Sequence, residues 1–322
     1  MKTEYFIYGK EQSLLVNACA LIMMLTSHLW NFPSWLLHGN YYISMFTYGD
    51  FSIERLLGNF GGMCVPIFAF NTGYVLWKKK EYYTLRNNIR RILKFLISYW
   101  IVYILYIFYG LCTGDAFNSV QNIFFNLFGL KCAVLNGTIN VPFAWYVWFY
   151  ILFILFTPII LYFVKGKNRI VDSFFLAIWC LINILVINEI FSEYYIIDLF
   201  STLFSVGWYS MIGFFVSKYS LFNILGKYIG RHNLLLKNVC ILIFVFICRV
   251  EFFSIDRYNI LNAIYTPLII FSLVNLFSLL KGKWMLYSSF RILGQHSMNI
   301  WFLHGIFFTA LCNYNGFSIY LR

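Results

Sequence analysis

Acidic side chains are scarce in this sequence, with 12 Asp and Glu among 322 residues against 24 Lys and Arg. Charge of either sign is thin as well, at 11% of the chain, where a soluble domain carries about a quarter. A conventional soluble globular domain is excluded on that ground. Internal repeats, polar linkers and low-complexity tracts are missing, so 1–322 reads as a single membrane domain. Paired cysteines are missing too. Cys19, Cys64, Cys112, Cys132, Cys180, Cys240, Cys248 and Cys312 are scattered singly, with no C-x-x-C pair and no His/Cys cluster. That spacing offers no metal site and no disulfide framework, and the cysteines read as small apolar packing residues. No small-residue cleavage site follows the first apolar run, so a cleavable signal peptide is not expected.

What is present is apolar and aromatic. Hydrophobic residues make up 61% and aromatic residues 22% of the chain, and the mean hydropathy is +0.73. Crossing the hydrocarbon core takes roughly 20 helical residues. Runs that meet this lie near 13–30, 60–77, 93–112, 143–164, 170–190, 199–217, 237–254, 259–280 and 295–313. The expected fold is an all-α, polytopic bundle of about nine or ten transmembrane helices. The stretch 117–136 is polar at its start and carries Lys131. It reads as an interfacial or re-entrant piece, with a tenth span and a plain surface loop as the alternatives.

Charge sets the expected orientation. With a cytoplasmic N-terminus and nine spans, the inner segments 1–12, 78–94, 165–169, 218–237 and 281–291 hold 19 of the 24 Lys and Arg residues. That is the positive-inside pattern. The basic balance therefore points to topology and anionic membrane lipids, and no nucleic-acid partner is expected.

Four polar features interrupt the apolar runs. His28 lies on the first, on one helical face with Asn17, Leu21 and Met24. Asn17 and His28 are about 16 Å apart along the axis at 1.5 Å per residue. An intramembrane histidine is costly and often functional, and a neutral imidazole takes a proton from a hydroxyl near neutral pH. The helix alone fits a satisfied interfacial histidine beside Trp30 equally well. The second feature is the basic block 78–94, where Arg86, Arg90, Arg91 and Lys94 run into a helix start. It is a topology determinant, and its cations also suit the phosphates of a cytoplasmic donor. The third is the run from Gly61 to Tyr74. Pro66 and Gly73 loosen a helix there, and Asn71 and Thr72 place polar groups inside it. Its glycines read as packing residues. The last is the run from Gly294 to Gly305, where Ser297, Trp301 and His304 share a face.

Taken together these residues resemble the integral-membrane acyltransferase family 3, the multi-span O-acyltransferases of bacterial surface glycans, over nearly the whole chain. His28 falls where that family's first-helix histidine stands. The stretch Val65 to Tyr74 follows its G-V-P-x-F-F-x-x-S-G-Y run. Arg91-Ile92-Leu93-Lys94 stands at its R-x-x-R signature, Ala144-Trp145-Tyr146-Val147-Trp148-Phe149 at an aromatic helix start, and Gly294 to His304 at its closing G-x-x-S-x-x-I-Y/W-x-x-H. Two positions depart from the pattern: Asn17 replaces a basic residue, and Lys94 replaces the second arginine.

The resemblance implies an enzyme of a bacterial cytoplasmic membrane that moves an acyl group from acetyl-CoA, its co-substrate, to a sugar hydroxyl. The acceptor would be a polysaccharide or a lipid-linked glycan, and no metal is called for. On this reading His28 is the base, with Asp50 or Glu54 orienting it. Arg86, Arg90, Arg91 and Lys94 hold the donor. Asn17, Asn71, Tyr74, Trp145, Ser297, Trp301 and His304 line the channel, with Asn71, Tyr74 or His304 stabilising the oxyanion. A glycolipid flippase and a non-catalytic subunit of a glycan-assembly complex are the alternatives.

Overall fold

A computed structural model of the chain describes residues 6–30, 47–48, 51–113, 120–130, 144–166, 168–187, 195–230, 232–252, 260–280 and 284–314. They are almost entirely helical. In order they form α1 (Lys10–Trp30), a two-residue antiparallel ladder of β1 (Thr47–Tyr48) and β2 (Phe51–Ser52), α2 (Ile53–Gly61), α3 (Cys64–Lys78) and α4 (Leu85–Thr113). There follow α5 (Val120–Leu127), α6 (Trp145–Val164), α7 (Arg169–Ile187), α8 (Tyr195–Lys218) and α9 (Leu221–Ile229). The last four are α10 (Leu234–Glu251), α11 (Ile260–Leu280), α12 (Trp284–Gln295) and α13 (Ser297–Tyr314).

Among the described residues, 7 helices are long and apolar enough to cross a membrane: α1, α2 with α3, α4, α6, α7, α8 and α11. They coincide with seven of the nine expected runs. The run 237–254 falls on α10, which carries Lys237, Arg249 and Glu251 and passes only together with α9, from which it is bent by 118°. The run 295–313 is helical as α13, where Asn299, His304 and Asn313 lower its apolarity. Within 117–136 the described helix α5 has 8 residues, about 12 Å at 1.5 Å per residue and too short to span. The protein is thus an all-α, polytopic membrane protein.

Contacts gather the chain into two compact units, Met1–Lys78 with Tyr209–Met298, and Lys79–Trp208 with Asn299–Arg322. In the first, α1 packs on α2, α3, α11 and α12. Two points fix its register. A Cβ on Gly61 would lie 2.3 Å from the Met23 carbonyl oxygen, and Asn71 bonds Asn17. As the chain advances from Gly61 to Asn71, its neighbour on α1 steps back from Met23 to Asn17, so α1 runs antiparallel to α2 and α3. The α2 helix starts on Ser52, whose Oγ accepts from the Arg55 N–H at 3.1 Å, which satisfies one orphan donor of the first turn. The chain breaks at Gly62–Met63, so Pro66 stands in the first turn of α3. Its missing N–H leaves no gap in the ladder there, and the loosening expected at Pro66 is instead a break before it.

Helices in lipid gain nothing from burying apolar surface against each other, so close packing of small residues holds them. Gly73 on α3 does this against α8, where a Cβ would sit 1.7 Å from the Ser210 carbonyl oxygen. Ser210 Oγ in turn donates to the Ala69 carbonyl at 2.8 Å.

In the second unit α4 packs on α6, and α6 on α7. Pro158 lies inside α6 and has no N–H to give the Ile154 carbonyl four residues earlier. The fully buried Asn88 of α4 supplies the missing donor, from Nδ2 to that carbonyl at 3.0 Å. The short α5 is tied to α4 in the same manner. Tyr99 Oη donates to the Asn126 carbonyl at 2.6 Å, Trp100 Nε1 to that of Leu127 at 2.8 Å and Tyr103 Oη to that of Ile123 at 3.3 Å. The Leu127 carbonyl is one that the helix end leaves open, whereas that of Asn126 also accepts the Gly129 N–H at 3.2 Å.

Candidate active site

The α1 face that carries His28 is the packed one. Leu21 and Met24 on it have no exposure, and Asn17 and His28 at its two ends are half-buried. Asn17 Oδ1 accepts from Asn71 Nδ2 at 2.7 Å. Asn71 Oδ1 in turn accepts from Tyr8 Oη. Tyr8 lies just before α1, edge-on to the Tyr74 ring at 4.8 Å. Burial raises its phenol well above the ordinary tyrosine value, so it is a neutral hydrogen-bond donor. At the position where a cation was expected, the structure therefore holds a neutral chain, Tyr8 to Asn71 to Asn17.

The segment that carries Tyr8 is seated on aromatic rings. Phe6 stacks on Phe271 at 4.7 Å, and Phe222 lies between 5.1 and 6.1 Å from Phe6, Tyr8, Phe70, Tyr74 and Phe271. The Phe6 N–H donates to Asn223 Oδ1 at 3.2 Å.

Glu54 lies in the first turn of α2 and is half-buried. The antiparallel register puts it at the same end of the helix pair as His28, away from Asn17. Asp50, the other acid expected there, lies outside the described residues.

The four cations of α4 do not act alike. Arg86, Arg90 and Lys94 are exposed and follow one another at intervals of four residues, which puts them on one face. Arg90 and Lys94 line a groove of about 550 Å³ with Tyr82, Asn87, Arg91, Leu93 and Ile97. Arg91 turns inward. Its guanidinium carbon lies 3.9 Å from the centre of the Tyr83 ring, and its Nη1 is buried with no hydrogen-bond partner among the described residues. Burial raises the Tyr83 phenol above its ordinary value, against the pull of Arg91.

On α13, Ser297, Trp301 and His304 are all buried. His304 Nδ1 donates to the Trp301 carbonyl, an atom that only accepts. Trp301 lies 5.6 Å from Tyr146, whose ring is 5.8 Å from Trp145. So Trp145, Trp301 and His304 belong to one cluster of the second unit, joined through Tyr146. Among the described residues no three His, Cys, Asp or Glu side chains converge as a metal site requires.

Sequence reasoning passed over Tyr8, Tyr83 and Asn88. Asn88 had a signal, an amide entering an apolar helix next to the basic block. Tyr8 had none, because its partners lie on other helices.

No curated protein and no solved structure matches the chain. The family model described as an acyltransferase domain, that of acyltransferase family 3, matches residues 15–320. The match opens just before Asn17 and closes beyond His304, so the Asn17–Asn71 pair, the His28 face, the α4 cations and the α13 cluster all lie inside it. From its first helix to its last, this chain belongs to acyltransferase family 3, and it is a multi-pass membrane acyltransferase.

Proposed function

We propose that the protein is an O-acetyltransferase of a bacterial cytoplasmic membrane, with acetyl-CoA as donor and a sugar hydroxyl of a capsular, exo- or lipopolysaccharide as acceptor. The observation that carries this reading is the placement of His28 on the packed face of the first span, at the end of the helix pair where Glu54 also stands.

The chemistry asks little of the protein beyond a base, a place for the donor and stabilisation of the oxyanion. The neutral His28 imidazole takes the proton of the sugar hydroxyl as that oxygen attacks the thioester carbonyl. The tetrahedral intermediate expels the thiolate of coenzyme A, which recovers the proton from the imidazolium. Glu54 favours the charged ring on its own side of the membrane, a role for which Asp50 is the second candidate. The exposed cations Arg86, Arg90 and Lys94 hold the donor phosphates from the cytoplasmic side. Tyr74, Asn71 and His304 are the candidates to stabilise the oxyanion, and Asn71 already gives one amide N–H to Asn17.

The test is the O-acetyl content of surface polysaccharide, read by proton NMR in a deletion strain and in that strain restored with wild type or with His28→Ala at matched membrane levels. Acetyl signal that returns with wild type and not with His28→Ala is the expected result. Unchanged acetylation with reduced polymer export would overturn the reading in favour of transport or assembly.

A further inference from the structure

Between α4 and α6 the second unit holds two buried polar atoms that no described residue satisfies, Asn88 Oδ1 and Arg91 Nη1. Buried polar atoms are paired in the great majority of cases, so each exception calls for an account. These two are neighbours: three residues apart on α4, they share a face about 4.5 Å apart in rise. Both look toward the same stretch of α6. Asn88 is anchored on the Ile154 carbonyl, Tyr150 lies one turn before it within electrostatic reach of Tyr83 and Arg91, and Phe95 packs on Tyr150 at 4.2 Å. Tyr83 closes the side beneath the guanidinium.

The polarity of this bay is fixed. The Ile154 carbonyl only accepts, so Asn88 must present Nδ2 to it and turn Oδ1, an acceptor, into the bay. Arg91 presents a donor one turn away. A ligand that answers both needs an N–H for Asn88 and a carbonyl for Arg91. A phosphate would answer Arg91 alone and set an anion against the lone pairs of Asn88. An apolar chain would answer neither. A secondary amide carries both groups, on opposite sides of one planar unit.

The geometry points to a binding subsite for a secondary amide, made by Asn88 and Arg91, and its occupant is the pantetheine arm of the acyl-CoA donor. The assignment rests on the donor reading above and divides the α4 cations by task. Arg91 lines the same groove as Arg90 and Lys94, and its ring partner Tyr83 is buried where those two cations are exposed. Phosphates held by those outer cations would lead the amide-bearing arm inward past Arg91. The same amide chemistry also occurs in the N-acetyl group of an amino sugar, and the experiment separates the two sources.

Binding of coenzyme A, pantetheine, 3′,5′-ADP and N-acetylglucosamine to the full-length protein in nanodiscs decides the matter, for wild type, Asn88→Asp, Arg91→Gln and the double variant Arg90→Gln/Lys94→Gln. Arg91→Gln keeps the α6 anchor of Asn88 and serves if Asn88→Asp fails to fold. Loss of one such bond is expected to weaken pantetheine about tenfold and to leave 3′,5′-ADP within about twofold. The double variant is expected to do the reverse. Pantetheine that binds wild type and the bay variants equally would overturn the subsite, and the bay would then hold water. N-acetylglucosamine in place of pantetheine at Arg91 would overturn the donor assignment. Wild type that binds neither coenzyme A nor any of its fragments would instead overturn the donor reading on which the subsite rests.

Discussion

Asn71 gives its side-chain N–H to Asn17 at 2.7 Å and takes the hydroxyl proton of Tyr8 on its own oxygen, so one amide joins the first two spans and the segment that precedes them. Every member is neutral, and Asn71, the buried member in the middle, would lose both bonds at once if its amide were replaced.

Asn71→Leu should therefore lower stability by about 1–2 kcal/mol, seen as a drop in the thermal midpoint of the purified protein. Tyr8→Phe should cost less, and the two together less than their sum. Strict additivity would show that Tyr8 and Asn71 do not act as one unit.

The same phenol makes stability depend on alkaline pH. Burial raises the Tyr8 value in the folded protein, whereas an unfolded tyrosine ionises near 10. Below about pH 10 both states keep the proton and the contribution is whole. Above it the unfolded chain sheds the proton and the folded one does not, so stability falls as pH rises. Relative to Tyr8→Phe, wild type should hold a constant advantage from about pH 7 to 9 and lose it above about 10. An advantage that stays flat to about pH 11 would contradict this.

Gly73 tolerates no side chain where its Cβ would lie 1.7 Å from the Ser210 carbonyl, whereas Gly166 has nothing within 4 Å. Gly73→Ala should sharply reduce the amount of folded protein in the membrane, with Gly166→Ala close to wild type. Equal levels for the two would mean that α3 and α8 separate freely.

The Arg91–Tyr83 stack is open to an isosteric test. Tyr83→Phe keeps the ring under the guanidinium and should leave KM for acetyl-CoA within about twofold. Tyr83→Leu removes it and should raise KM about fivefold, or about 1 kcal/mol. Equal effects of the two would assign the role to the hydroxyl rather than to the ring.

The spans were legible because a run of about 20 apolar residues is seldom anything but a membrane helix, and the described part of 117–136 is a helix of only 8 residues. His28, Asn71, Trp301 and His304 were legible as polar or aromatic residues in costly or patterned places. What stayed hidden depends on partners far apart in sequence. Tyr8 meets Asn71 across 63 positions and Asn88 meets Ile154 across 66, and no local periodicity encodes either. Pro66 was visible but misjudged: the break at Gly62–Met63 that makes it an opening residue depends on how α2 and α3 each pack.

Pro158 has a reach beyond its own helix. Because it leaves the Ile154 carbonyl open, it holds the Asn88 amide in one of its two orientations, and so sets which way a neighbouring helix's side chain is polarised. Pro158→Ala would close the α6 ladder and let that amide rotate, exchanging an acceptor for a donor in the bay. Ligand preference would then be rewritten by a residue that touches no ligand.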